Sequence, residues 1–318
     1  MTILPFSCLG IGIIVGLQEI TNRFLKAIDF IINITLIVLM LTIGMNIGVN
    51  NSIMSKLNMI GINCFVIALF AIIFSVIFTL VVEKTILPLD KMKENLNAEN
   101  MSLDNEVNVL EEEKKKMSPL VLIMPLSIVT GVILGYFAMP KDKVYLLGYI
   151  LTISLVLLYT GVGINLGNNR KVFRYIRVLG ARIIFLSLAI FLGSVAGGFI
   201  AGIVLNLPVE ISVMSSSGMS YYSLTGAYMT KMYGIETGTY GFVVNVMREF
   251  FTVLTLPLLI KISKGSPIAG GAAGNMDTML MPITKFVGPE LGLVTLITGT
   301  ILTFAVPFIL PILYGIFQ

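Results

Sequence analysis

Long apolar stretches separated by short polar ones dominate the pattern of the chain. A membrane-spanning helix needs about 20 mostly apolar residues, because the bilayer leaves its backbone polar groups no other partner than the helix itself. The stretches that approach or meet this length cover residues 2–17, 28–49, 57–82, 118–139, 144–167, 178–206, 239–260 and 287–317. The pattern therefore predicts an all-α membrane protein with about eight transmembrane helices.

Two further stretches, residues 209–237 and 263–286, are apolar but rich in Gly, Ser and Pro. They are too apolar for free loops and contain too many helix-breaking residues for uninterrupted spans. Irregular backbone survives at membrane depth only where protein or a water-filled cavity satisfies its polar groups. We therefore expect two broken or re-entrant helices at these positions.

Short motifs recur along the chain at nearly one offset. Gly12-Ile-Ile-Val-Gly16 matches Gly131-Val-Ile-Leu-Gly135, and Gly44-Met-Asn-Ile-Gly48 matches Gly163-Ile-Asn-Leu-Gly167 at the same offset. Pro5-Phe-Ser7 matches Pro125-Leu-Ser127 at an offset longer by one residue. Three predicted spans, an odd number, separate the copies, so the second copy enters the membrane in the opposite direction. Inverted repeats of this kind are frequent in secondary transporters.

The repeat divides the chain into four predicted parts. They are a first three-span repeat at 1–84, a charged cytoplasmic linker at 85–117, a second, inverted three-span repeat at 118–206, and a C-terminal region at 207–318 with the two irregular segments and two spans. Lys and Arg are concentrated in the loops after spans one, three and five, whereas the opposite loops contain only Lys56, Lys141 and Lys143. Because cytoplasmic loops carry the excess of Lys and Arg, both termini are expected outside.

Composition narrows the range of functions. The chain is 56% hydrophobic and only 12% charged, whereas soluble domains are about 25% charged. Its small net charge of +4 lies at the ends of segments, which fits membrane orientation and not a nucleic-acid partner. With no His and two Cys in apolar segments, neither a disulfide framework nor a Cys/His metal site is expected. An intramembrane hydrolase lacks a His base and a second Asp at membrane depth, so we expect no enzyme and no cofactor.

Asp277 is the strongest candidate for a functional residue in the sequence. It lies with Asn275 in the Gly-rich segment Gly274-Asn-Met-Asp-Thr278, between apolar sequences. A carboxylate at membrane depth is costly and normally faces a cavity or a charged partner. The alternative is a surface loop at the cytoplasmic end of span seven, near Lys261 and Lys264.

A polar stripe crosses span seven. Its members follow the i, i+3, i+4, i+7 spacing of one helix face: Asn245, Arg248, Glu249 and Thr252. The stripe cannot face lipid. An Arg248–Glu249 structural pair is one interpretation, but adjacent residues do not face each other on a helix, so each is expected to have its own partner. Glu249 could then bind a substrate cation.

The irregular segment 209–237 offers hydroxyl groups around an expected helix break. The candidates in it are Ser217, Gly218, Tyr221, Tyr222 and Ser223. The N-terminus of a half-helix inside the membrane has free N–H groups and a positive dipole end, which suits a substrate carboxylate. The alternative is that these small residues allow close helix packing.

Asn46 and Asn165 occupy equivalent repeat positions, each between two glycines. They mark either helix breaks that line the central site or plain close packing of helices.

Four motifs resemble the LysO-type lysine exporter family of bacteria. They are Thr160-Gly-Val-Gly-Ile-Asn-Leu166, Gly218-Met-Ser-Tyr-Tyr-Ser-Leu-Thr-Gly226, Asn245-Val-Met-Arg-Glu249 and Gly274-Asn-Met-Asp-Thr-Met-Leu-Met-Pro282. The resemblance runs over nearly the whole chain in order and spacing. It implies an inner-membrane exporter of L-lysine and close analogues, with eight spans and an essential acid at Asp277. The family pattern has a second acid near the end of span two, where this chain has Asn46-Ile-Gly-Val-Asn-Asn51, so Glu249 would be its remaining second acid.

These observations favour a secondary active exporter in the bacterial cytoplasmic membrane, working by proton antiport with alternating access. Asp277, helped by Glu249, would bind the lysine ammonium group and exchange it for a proton, and the break at Ser215–Gly218 would bind the α-carboxylate. Expected partners are the small-molecule substrate and the lipid bilayer, and the sequence is compatible with a homo-oligomer. The alternatives are an exporter or antiporter for another small cation or amino acid, and a cation channel.

Overall fold

The computed structural model describes residues 3–18, 21–89, 92, 120–140, 143–168 and 180–317, and these residues contain helices but no strand. The all-α prediction is therefore confirmed for this part of the chain. Most of the predicted linker and the basic loop at 169–179 lie outside the described residues. The helices are α1 (Ile3–Leu17), α2 (Asn22–Val49), α3 (Asn51–Thr85), α4 (Leu120–Phe137), α5 (Tyr145–Asn168), α6 (Ile183–Leu205), α7 (Val209–Ser216), α8 (Tyr222–Tyr233), α9 (Ile235–Ile262), α10 (Gly265–Gly271), a 3₁₀ helix (Ala272–Met276), α11 (Leu280–Val287) and α12 (Pro289–Phe317).

Every predicted span contains a helix. Six helices of the described part, α2, α3, α5, α6, α9 and α12, are long and apolar enough to cross a membrane. The apolar helices α1 and α4, which coincide with predicted spans one and four, are shorter. Multiple apolar helices thus support a multi-pass membrane protein, and the count of eight crossings stays a prediction.

Helix α9 shows why the molecule needs a bilayer. Phe250, Leu254 and Leu258, spaced by four residues, are 58%, 59% and 61% exposed on its outer face. Its inner face buries polar side chains, among them Asn245 and Arg248 at 0% exposure. Apolar surface outside and polar groups inside is the arrangement that lipid solvates well and water does not.

The repeated glycine motifs pack against each other crosswise. A Cβ atom placed on Gly12 of α1 would lie 2.9 Å from the Cα atom of Gly163 on α5. A Cβ atom on Gly44 of α2 would lie 3.0 Å from the Cα atom of Gly131 on α4. The first motif of each copy therefore meets the second motif of the other copy. Glycine is required there because any side chain would separate the two backbones.

The two irregular stretches are interrupted helices, as predicted. The first consists of α7 and α8, which are separated by residues 217–221, with Met219 and Ser220 at φ 49° and 77°. The second consists of α10, the 3₁₀ helix and α11, with Ala272 at φ 49°. Positive φ strains these residues because their Cβ atoms crowd the backbone, so neighbouring groups must hold each break in place.

Candidate functional site

Asn245 of α9 holds the first break, which comprises residues 217–221. Its side-chain Oδ1 accepts a hydrogen bond from the backbone N–H of Ser220 at 2.7 Å. Its Nδ2 donates to the carbonyl oxygens of Ser215 at 2.9 Å and Gly241 at 2.7 Å. A Cβ atom on Gly218 would lie 2.5 Å from this Nδ2, so the glycine allows the break to approach α9. Asn245 is therefore a structural clamp in this arrangement and not a freely exposed ligand.

Asn275 has the corresponding place in the second break, which comprises residues 272–279. Its Nδ2 donates to the carbonyl oxygen of Ile268 in α10 at 2.7 Å, which folds the break back onto the helix before it. Thr303 of α12 donates to the carbonyl oxygen of Ala273 at 3.0 Å. A Cβ atom on Gly299 would lie 2.6 Å from the Cβ atom of Asn275, so α12 also approaches closely.

The two breaks touch each other. The backbone N–H of Ala273 donates to the carbonyl oxygen of Met219 at 2.9 Å. This bond joins residues far apart in sequence at the two points where regular helix is interrupted. The two irregular segments are therefore in direct contact, and their joint role in binding substrate stays a prediction.

Glu249 and Asp277, the two acids singled out from the sequence, belong to that region. Glu249 Oε1 accepts a hydrogen bond from Thr278 Oγ1 at 3.0 Å, and a Cβ atom on Gly274 would lie 2.7 Å from the same oxygen. Asp277 accepts from the backbone N–H of Thr278 and has an exposed side chain. Asp277 directly precedes Thr278, whose hydroxyl donates to Glu249, so both acids lie at the second break. Two carboxylates brought to one place in a largely apolar protein favour the binding of a cation or a proton.

Hydroxyl oxygens without a partner lie in the first break. Within the described residues, Ser217 Oγ and Ser220 Oγ are buried and make no hydrogen bond. Ser223 is buried one residue into α8, and Tyr221 is the residue that directly precedes this helix. Buried polar groups are normally hydrogen-bonded, so unpaired ones beside a break are candidates for contact with a polar ligand.

Arg248 makes its contacts away from Glu249. It donates to Ser194 Oγ at 2.7 Å, Ser75 Oγ at 3.1 Å, and the carbonyl oxygens of Ala269 at 2.9 Å and Gly270 at 3.1 Å. The expectation of separate partners for the two neighbours agrees with this geometry, and a mutual Arg248–Glu249 pair does not.

Ser75 and Ser194 were missed by sequence reasoning. They are 119 residues apart, their Oγ atoms are 3.0 Å from each other, and both accept from Arg248. The signal that could have found them is this separation, because Gly44 and Gly163 are the same distance apart in the chain.

Asn46 and Asn165 do not mark helix breaks, so that expectation is wrong. Helices α2 and α5 continue through both positions. Asn46 Nδ2 donates to the carbonyl oxygen of Thr42 in its own helix at 2.9 Å, and Asn165 Nδ2 donates to Asp29 Oδ1 at 3.2 Å. The physical reason is that the flanking glycines allow close contact between two intact helices, which was the alternative interpretation of these motifs.

The chemistry that the site can support depends on the polar groups that it contains. Within the described ranges, no group of three or more His, Cys, Asp or Glu side chains is arranged to hold a metal ion. What the arrangement offers is carboxylate oxygens, hydroxyls and backbone carbonyls, a set suited to an organic cation and a proton.

Comparisons with known proteins agree with the resemblance seen in the motifs. The chain is 29% identical over 157 residues to the lysine exporter LysO of Escherichia coli (strain K12), an alignment covering 49% of this chain and 52% of that protein. It is 25% identical over 184 residues to a putative lysine exporter of Haemophilus influenzae, covering 58% of this chain and 93% of that protein. The chain thus spans about half the length of the first relative. No solved structure matches it. The family model described as lysine exporter LysO matches residues 6–96 and 125–314, and the chain therefore belongs to this family.

Proposed function

We propose that this protein exports L-lysine from the bacterial cytoplasm by exchange for protons. Its family supports the substrate. The observation that carries the proposal is the Glu249–Thr278 hydrogen bond, because it places one acid of α9 against the break that contains Asp277. A substrate with a positively charged ammonium group fits this pair of acids.

In this proposal the two ends of lysine bind to different breaks. The side-chain ammonium group binds between Asp277 and Glu249, where it relieves the repulsion between the carboxylates. The α-carboxylate binds at the first break, where Ser217 and Ser220 offer hydroxyls and α8 begins. The positive end of the α8 dipole favours an anion at that place.

Proton coupling follows from charge. Lysine carries one net positive charge, and moving it outward opposes an inside-negative potential by about 2.3 kcal/mol per 100 mV. Entry of one proton per exported lysine cancels this electrical work. Asp277 has an exposed side chain and is the acid that would alternate between ammonium and proton.

Alternating access in this proposal relies on two inverted three-helix halves, with eight crossings and both termini outside. The crossed glycine contacts support such a relation, because exchanging the two copies turns the Gly12–Gly163 contact into the Gly131–Gly44 contact. The Ser75–Ser194 pair supports it as well, because these two residues are separated by the offset of the repeat. The two interrupted helices would enter from opposite sides of the membrane and meet where the backbone N–H of Ala273 donates to the carbonyl oxygen of Met219.

Lysine efflux from proteoliposomes tests the mechanism. Liposomes containing the purified protein and labelled lysine are diluted into acidic or neutral medium, and a potassium-diffusion potential is applied separately at fixed pH. We expect outward-facing acid to accelerate efflux and the potential alone to change it little. A strong dependence on potential at fixed pH, or a requirement for sodium without any effect of pH, contradicts proton exchange. Sustained single-channel currents would instead favour a cation channel.

The pair of acids is also compatible with a substrate other than lysine. Another small cation or amino acid would fit two carboxylates as well as lysine does. Competition for labelled lysine efflux by a panel of amino acids separates the two, because an exporter of another compound would show stronger inhibition by that compound than by lysine.

A further inference from the structure

Arg248 is a fully buried cation for which the proposed transport cycle has no use. We infer that it is a positioning residue of the substrate site. It holds α10 and the second break in place and is itself anchored by one serine of α3 and one serine of α6. The inference rests on the proposed function only for its transport readout. Its structural part concerns the break itself.

The contacts of Arg248 divide into two pairs. One pair goes to Ser75 Oγ and Ser194 Oγ, which also lie 3.0 Å from each other. The other pair goes to the carbonyl oxygens of Ala269 and Gly270, at the C-terminal end of α10. Helices leave their last carbonyl groups unpaired and carry a partial negative charge there, so a cation is well placed.

The opposite end of α10 meets an acid. The backbone N–H of Gly265 donates to Glu83 Oε2 at 3.3 Å. Glu83 follows Ser75 and Thr79 at four-residue intervals on α3, so the three side chains lie on one face of that helix. A Cβ atom on Gly265 would lie 2.8 Å from Thr79 Cγ2, which shows that this face runs along α10.

External groups are needed because α10 has only seven residues. Helices this short are unstable on their own, since nucleation is unfavourable and few internal hydrogen bonds follow it. The sign of the charge at each end, an acid at the N-terminus and a cation at the C-terminus, matches the helix dipole. The position of α10 is therefore set by α3, α6 and Arg248 more than by its own sequence.

The position of α10 in turn sets the geometry of the acids. Asn275 ties the break to Ile268 of α10, and Thr278, three residues later, donates to Glu249. Glu249 follows Arg248 directly on α9. Two adjacent residues of α9 therefore hold two parts of the same segment. Arg248 holds α10, and Glu249 holds the end of the second break. A shift of α10 would change where Thr278 and Asp277 stand relative to Glu249.

A lysine side chain at position 248 could not make the contacts of Arg248. The planar guanidinium group has five N–H donors in a fixed fork and reaches four acceptors at once, whereas an ammonium group donates from one nitrogen. The side chain is 0% exposed, so acceptors that lose their donor are not in contact with bulk water. Arg248→Lys is therefore expected to keep the charge and lose the positioning.

The test uses the double variant Ser75→Ala/Ser194→Ala, which removes two acceptors and leaves Arg248 and all acids in place. The matched control is Ser187→Ala, a buried serine of α6 whose hydroxyl has no partner within the described residues. One readout is the half-saturation concentration and maximal rate of lysine efflux. The other is the rate at which a thiol introduced by Met276→Cys is alkylated, with Cys8 and Cys64 replaced by serine and alanine. The second readout needs no lysine.

We expect the double variant to raise the half-saturation concentration on the order of tenfold, as lost hydrogen bonds to a charged group would do, with a smaller effect on the maximal rate. The alkylation rate should change several-fold, Arg248→Lys should behave in the same way, and Ser187→Ala should match the unaltered protein. If the double variant does not fold, Ser75→Ala alone should show smaller changes in the same direction.

Two results separate this inference from the proposed function. Unchanged alkylation in the double variant and in Arg248→Lys overturns the positioning role, whatever is transported. A changed alkylation rate in a protein that exports no lysine even when unaltered supports the positioning role and refutes the proposed substrate. Equal effects of the double variant and Ser187→Ala also overturn the inference, because they would reflect the loss of any buried hydroxyl.

Discussion

Replacement of Asp277 by Asn separates the charge of this residue from its shape. Asn has nearly the same size, and its Oδ1 can still accept the hydrogen bond from the backbone N–H of Thr278. The side chain is exposed, so the substitution buries no new polar group. We therefore expect a folded protein with a thermal midpoint close to that of the unaltered chain, and a large loss of lysine export.

The size of the loss follows from the charge that disappears. Two opposite charges about 4 Å apart attract each other by about 1 kcal/mol in bulk water and by about 4 kcal/mol at an effective dielectric constant of about 20. Asp277 is exposed, whereas Glu249 on α9 is partly buried, so the site lies between these limits. Because 1.4 kcal/mol corresponds to a factor of ten, the affinity for lysine should fall by roughly five-fold to several hundred-fold. Export should fall further, since Asn cannot carry the exchanged proton.

Two assays on purified protein check this expectation. Titration calorimetry in detergent gives the affinity for lysine, and efflux from proteoliposomes gives the transport rate. Glu236→Gln is the control, because Glu236 forms an exposed ion pair with Lys56 at 3.7 Å, and exposed pairs contribute little. Normal affinity and normal efflux in Asp277→Asn would refute the role of this residue as the ammonium and proton site.

Three further predictions address the second acid, the glycine contacts and the topology. Glu249→Gln should keep a weaker hydrogen bond with Thr278 but lose its charge, so lysine affinity should fall while the protein stays folded, as calorimetry and thermal unfolding can show. Gly163→Ala should destabilise the protein by about 1–3 kcal/mol, because the added methyl group meets the backbone of α1, whereas Gly148→Ala on the same helix has open space and should have little effect in thermal unfolding. A reporter that is active only in the cytoplasm should be active when fused near residue 100 or 172. A cytoplasmic C-terminus would contradict the proposed crossings.

The sequence predicted the parts of the fold that depend on local composition. Apolar length identified each long helix, and the density of Gly, Ser and Pro identified both interrupted ones. It did not decide between breaking and packing at Asn46 and Asn165. A glycine pair serves either purpose, and the choice depends on whether another helix is close enough to use the space.

Long-range contacts were the other limit of sequence reasoning. A single serine in an apolar helix is normally satisfied by a carbonyl of the preceding turn, as Ser194 is by Ile190 at 2.8 Å. Nothing local distinguishes Ser75 and Ser194 from other serines, because their importance depends on a guanidinium group from a helix far away in sequence. The acids Glu249 and Asp277 were conspicuous for the opposite reason, since charge in an apolar stretch is rare.

The crossed glycine contacts have a consequence for synthesis and assembly. Helix α1 has its close partner in α5, and α2 has its close partner in α4, so neither half buries these glycine faces by itself. A ribosome that has completed only residues 1–84 has therefore produced helices without their partners. Fragments separated within the linker should be degraded when made alone and should recover activity when made together. The linker thus connects two sets of helices that can complete their folding only together.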